Sequence, residues 1–178
     1  MSQITPAKHK ILLAAAAVCT EHGASHLTLD RVAEQADLSK GGLLYHYPNK
    51  QALLEGMLGY LVGTISDRQL THEQALQGSR RPFAMSVLLG EIEQEPAERA
   101  MAQAILAVAA EDPKLLAAAK PVIAQWLARA HEEDAVSVAI VLAAQGLRFL
   151  QMLDMLPTEP DSGPTLTAQL QQLVEQAP

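Results

Sequence analysis

Residues 27–50, LTLDRVAEQADLSKGGLLYHYPNK, restrict the possible folds of this chain more than any other stretch. Thr28 is placed to act as an N-cap, its hydroxyl accepting from a free amide of the first helical turn. Leu29, Val32, Ala33 and Ala36 then recur at helical spacing and form one apolar stripe, while Asp30, Arg31, Glu34 and Gln35 take the other side. Asp37 falls where the chain must turn, and Asp tolerates the left-handed conformation better than most non-glycine residues. Ser39 offers a second N-cap, so a new helix starts two residues later. Leu43 and Tyr47, four apart, face inward, which leaves Lys40, Gly41, Leu44, Tyr45 and His46 outside. Pro48 ends that helix, having no amide hydrogen and clashing with the preceding turn. A helix of about seven residues is not stable by itself, so neighbours must brace it. Two short helices joined by a tight turn, the second rich in small, basic and aromatic residues, suit the major groove of DNA.

The segment resembles the DNA-binding domain of the tetracycline-repressor (TetR/AcrR) family of bacterial transcriptional regulators. Residues 10–22 followed by Gly23 resemble the family's first helix, with Ile11, Ala14, Ala15, Val18 and Cys19 as its buried stripe and Gly23 as its C-terminal cap. Asn49-Lys50-Gln51-Ala52-Leu53-Leu54 is similar to the opening of the family's fourth helix. The likeness covers residues 7–58, and the remainder carries no quotable motif. Within it the family usually reads Ser-Lys-Gly-Thr-Leu-Tyr-His-Tyr-Phe, where this chain has Ser39-Lys40-Gly41-Gly42-Leu43-Leu44-Tyr45-His46-Tyr47. Gly42 drops a hydroxyl that often binds phosphate, and Leu44 replaces a tyrosine that often lies on DNA. An apolar side chain can still contact a thymine methyl group.

Layout and resemblance together give a DNA-contacting set of Thr28, Arg31, Ser39, Lys40, Gly41, Gly42, Leu44, Tyr45, His46 and Lys50. Lys40 can reach a phosphate or a guanine edge, Gly41 admits the backbone close to DNA, and Tyr45 and His46 offer hydrogen bonds to phosphate. Lys50 opens the next helix, where free amides also favour phosphate. A leader of residues 1–10, with Lys8, His9 and Lys10, is a further candidate for an adjacent phosphate. The chain is acidic, with a formal net charge of −7, but unevenly so. Residues 1–50 hold five Lys and Arg against four Asp and Glu; the rest hold eight against sixteen. Fields are screened beyond about 8 Å at physiological salt, so the distal acidity opposes non-specific sticking more than docking. So few cations imply modest affinity and a modest salt slope.

At 178 residues, 49% hydrophobic and 3% aromatic, with no long alternating run, the chain reads as all-α. Beyond residue 50, helices are expected from Lys50 into the sixties or early seventies, from Pro82, from Pro96 to Asp112-Pro113, and over 113–130, 132–156 and 165–176. With three before them the count is nine, the family's usual number. The division expected is a helix-turn-helix DNA-binding domain over 1–48 and an effector-binding and dimerisation domain over 49–178.

No apolar stretch of about 20 residues lacks a charge, so no membrane partner is expected. The start does not read as a signal peptide, and the single Cys19 fits a buried small hydrophobe in a reducing, cytoplasmic setting. No zinc-ligand spacing, glycine-rich phosphate loop or nucleophile elbow is evident, so no metal, cofactor or enzymatic activity is expected.

The helix over 132–156 is apolar on almost every side, and burying both faces in so small a domain calls for a second subunit. Val138, Leu142, Gly146 and Leu150, with Leu166, Leu170 and Leu173 of the last helix, are the expected seam of a homodimer built as a four-helix bundle. The family dimerises in this way, and a two-fold dimer matches a palindromic double-stranded operator. The resemblance also implies a pocket for a small apolar or amphipathic effector, with Phe83, Met101, Ile105, Trp126, Arg148, Phe149 and Met152 as candidate lining residues. Arg148, set in an apolar helix, requires an acidic partner or an anionic ligand, because an unpaired buried charge is very costly. The expectation is a repressor released from its operator by an effector. The rival is a dimeric helical interaction protein in which DNA binding is secondary or lost, favoured by Gly42 and Leu44.

Overall fold

The structure, a computed structural model, describes residues 4–110, 113–155 and 172. Among these residues there are eight α-helices and no strand, as the all-α reading expects. The expected ninth helix over 165–176, with Leu166, Leu170 and Leu173, lies outside the described residues. The chain forms two compact units, Met1–Thr64 with Glu95–Pro121 and Ile65–Gln94 with Val122–Pro178.

In the first unit, α1 (Pro6–His22) starts earlier than the expected residue 10. Thr5 caps it by accepting from the Lys8 amide, and Pro6 supplies a preset φ at the first helical position. Lys8 and His9 are therefore helical rather than part of a free leader, and His9 Nε2 lies 3.1 Å from the Tyr60 hydroxyl. Gly23 closes α1 at φ +85°, a conformation that an L side chain rarely adopts. Helix α2 (Leu29–Gln35) and α3 (Lys40–His46) follow, then α4 (Lys50–Ala75), whose first turn is capped by Asn49 Oδ1 at 2.8 Å from the Ala52 amide. Helix α6 (Pro96–Ala109) completes the unit by packing on α1. Ile11, Leu12, Val18, Val32, Leu43, Leu53, Met57 and Met101 are all buried, so the unit has its own apolar core.

Tyr47 is buried as expected, and a Cβ added to Gly56 on α4 would come within 2.5 Å of its Cε1. Gly56→Ala gains about 1 kcal/mol of helix propensity but loses about 1–3 kcal/mol to overpacking against a rigid ring. We expect a net loss. Gly59→Ala, where a Cβ meets nothing within 4 Å, should stabilise instead. Denaturant midpoints of opposite shift check the pair, and equal shifts would refute the packing argument.

The second unit contains α5 (Pro82–Ile92), α7 (Lys120–Glu133, counted here from Val122) and α8 (Ala135–Met152), with the later part of α4. Phe83, Ala84, Val87, Leu88, Trp126, Ala130, Ile140, Val141 and Ala144 make its core. Two expected boundaries are corrected. The helix expected over 113–130 is a 3-10 turn, Pro113–Ala118, followed by α7, because Pro121 cannot donate to a preceding carbonyl and the helix restarts around it. The helix expected from residue 132 begins at Ala135. Asp134 is its N-cap and accepts from the Ser137 amide at 2.7 Å.

Asp134 also accepts from Arg81 Nε at 2.8 Å, and Arg81 is itself buried. The Ser137 amide first, and Arg81 after it, hold the Asp134 carboxyl below its ordinary range. Glu133 caps α5 from across the unit, its two oxygens accepting from the amides of Phe83 and Ala84 at 2.7 and 3.1 Å.

By length and composition α8 is apolar enough to cross a membrane, with a mean hydropathy of 1.5, although Arg148 interrupts it. Its packing is that of a protein helix: one face lies on α5, and Ile140, Val141, Ala144 and Leu147 are buried there.

Candidate nucleic-acid interface

The first two helices of the motif form as their local signals require. Thr28 Oγ1 accepts from the Arg31 amide at 3.3 Å, and Ser39 Oγ accepts from the Gly42 amide at 3.1 Å. Asp37 turns the chain between them at φ 50°. Helix α3 is seven residues long and held from inside by Leu43, which is fully buried, while α2 packs directly against it.

What remains outside is the expected contact set. Thr28, Arg31, Ser39, Lys40, Gly41, Tyr45 and Lys50 are exposed; Gly42, Leu44 and His46 are half-buried. All ten belong to the first unit. Tyr45 is 84% exposed, far more than an aromatic ring with a structural role requires, and it meets His46 edge-on at 5.0 Å between ring centroids. A Cβ added at Gly41 would meet nothing within 4 Å, so that position presents bare backbone. The arrangement can offer a cation, an amide-lined helix face and an aromatic hydroxyl to one polyanionic surface.

One member of this surface was not anticipated from sequence. Lys40 Nζ lies 2.8 Å from Asp30 Oδ1 and 3.1 Å from Oδ2, so the leading cation of α3 is engaged by a carboxylate on α2. Helical spacing places Asp30 only on the polar side of its helix. A pairing across the turn has no local signature.

The candidate effector residues do not gather in one unit. Met101 and Ile105 are buried on α6 in the first unit. Phe83 and Trp126 are in the core of the second, where Arg129 lies over the Phe83 ring at 4.1 Å and also pairs with Glu73. Arg148 and Met152 are half-buried, and Phe149 is exposed. Arg148 finds the acidic partner its setting demands: Nη1 is 3.5 Å from Oε1 of the buried Glu91, which also accepts from Gln145 at 3.4 Å.

Of the expected seam, Leu142, Gly146 and Leu150 are exposed on α8, while Val138 is half-buried against the core. Cys19 is half-buried, and burial pushes its thiol up to about 11, which leaves little reactive thiolate. Among the described residues no three His, Cys, Asp or Glu side chains gather as metal ligands do.

Two family models match the chain. One, described as bacterial regulatory proteins, tetR family, covers residues 11–57. The other, described as tetracyclin repressor-like, C-terminal domain, covers residues 81–175. No curated protein matches.

Among solved structures, a Rhodococcus protein assigned to the TetR-family transcriptional regulators is 22% identical, with a TM-score of 0.70 over 97% of this chain and 100% of that one. The ketosteroid transcriptional regulator KstR2 of Mycobacterium tuberculosis is 16% identical, with a TM-score of 0.62 over 97% and 95%. NalD, the secondary repressor of the MexAB-OprM multidrug efflux pump in Pseudomonas aeruginosa, is 18% identical, with a TM-score of 0.56 over 93% and 94%. At these identities the likeness is one of fold.

Proposed function

The chain belongs to the TetR family of bacterial regulatory proteins, and on that premise we propose that this DNA-binding regulator is a ligand-released repressor. It binds a palindromic operator as a homodimer. Residues 1–48, joined by Lys50, present the DNA-contacting face, and residues 49–178 hold the effector and the dimer seam. The protein works in the cytoplasm, where the operator is.

The observation that carries this reading is the exposed set around α3. Seven of the ten expected contact residues are open to solvent on one compact unit, with the almost bare ring of Tyr45 among them. Support for the dimer comes from α8, whose outer face is apolar and exposed at Leu142, Phe149 and Leu150, and from Leu153 at its C-cap. Two copies of α3 related by a two-fold axis would enter successive major grooves about 34–36 Å apart. An effector of small, apolar or amphipathic character then acts only through its differential affinity for two spacings of those helices.

Selection from a random duplex library tests the proposal. The expected product is an enriched palindrome. No enrichment would refute the repressor and favour a helical interaction protein. On the selected duplex, Tyr45→Ala should weaken binding by about 1–3 kcal/mol, and an unchanged affinity would remove Tyr45 from the interface.

A further inference from the structure

Asp30 is an exposed carboxylate in the midst of the surface assigned to DNA. It lies two residues after the cap Thr28 and directly before the cation Arg31, and both its oxygens accept from Lys40 Nζ, at 2.8 and 3.1 Å. The side chains are 62% and 68% exposed for Lys40 and Asp30, so the pair faces solvent, where a duplex can reach it. While it holds, the leading cation of α3 carries no net charge toward a phosphate.

That matters because residues 1–50 hold only five Lys and Arg against four Asp and Glu. Sequence-independent affinity comes from cations that displace condensed counterions. Discrimination comes from contacts to base edges, which a uniform electrostatic gain does not improve. We propose that Asp30 is a specificity-determining residue: it restrains Lys40 from indiscriminate phosphate contact, and at the operator Lys40 donates its remaining N–H to a base edge while still bonded to Asp30. This inference rests on the DNA-binding reading above.

The test compares wild type with Asp30→Asn, which keeps size and hydrogen-bonding capacity. Asp67→Asn, an exposed site in the second unit, makes the same change in net charge at another place. Binding is measured on the selected palindrome and on an unselected 30-bp duplex across a salt series, with thermal melts to confirm folding. With about 0.9 in log-log slope for each newly neutralised phosphate and two subunits, Asp30→Asn should steepen the salt slope on the unselected duplex by about 1.8. Affinity for the unselected duplex should rise about tenfold at 0.1 M salt and for the palindrome only about threefold, so selectivity falls. Asp67→Asn should change neither.

The gain should also disappear in a Lys40→Ala background. The proposal is overturned if Asp30→Asn matches Asp67→Asn, if it binds the palindrome more weakly than wild type, or if the gain persists in full without Lys40. In each case wild-type binding would leave the regulator reading standing. No duplex binding by wild type and variant alike would remove both.

Discussion

Leu142→Glu should convert the proposed homodimer to a folded monomer and lower its affinity for the proposed palindromic duplex by about 100-fold or more, since bivalent binding gains at least that much from linkage of the two half-sites. Along α8 the buried positions Ile140, Val141, Ala144 and Leu147 face α5, and the exposed positions fall between them at helical spacing. Leu142, Phe149 and Leu153 are 55%, 51% and 45% exposed, and Gly146 lies in the same stripe. A contiguous apolar strip of this kind is the usual mark of a protein interface. Within one chain a glutamate at position 142 meets water, so the subunit keeps its fold. Within a two-fold seam the same carboxylate is buried opposite its own copy without a counter-charge, which is very costly. Sedimentation and duplex titration read the two effects. A variant that remains dimeric with full affinity would place the seam elsewhere.

How far the chain could be read in advance depends on the range of the interactions that shape each part. The α2–α3 motif was legible residue by residue because its determinants are local: Thr28 and Ser39 cap three residues ahead, Asp37 turns, and Leu43 and Tyr47 point inward. The early start of α1 is equally local, in Thr5-Pro6, whereas the likeness to the family's first helix begins only at residue 10.

The α7–α8 break was not legible. Asp134 stands in a run of charges, and its role as a cap is shared with Arg81, 53 residues away. The partners of Arg148 and Lys40 were hidden for the same reason, since side-chain pairing across elements leaves no periodicity. Composition made α8 apolar all round; only packing shows that one face is covered by α5 and the other is not.

The buried pair that resolves Arg148 sets the second large expectation. Arg148→Met keeps the aliphatic bulk of the side chain but deprives Glu91, which is 2% exposed, of the cation that acts on it most strongly. Breaking a buried pair on one side costs about 3–5 kcal/mol, and the low end applies at pH 7 because Arg68 and Gln145 still act on Glu91. The loss should depend on pH in a definite direction. Burial raises the Glu91 carboxyl above its ordinary value, against the lowering effect of Arg148 first and then Gln145 and Arg68. The folded state therefore holds this proton more tightly than the unfolded one, so stability falls as pH rises above the unfolded value of about 4.3.

Removing Arg148 takes away the main opposing influence and extends that fall to higher pH. Denaturant unfolding of wild type and variant should thus differ least at pH 5 and separate steadily toward pH 8. Glu91→Gln with Arg148→Met should recover most of the loss, because neither charge remains and the glutamine can still bond Gln145. A destabilisation that is the same at pH 5 and pH 8 would mean that Arg148 contributes packing alone and that the Glu91 charge is compensated by other groups.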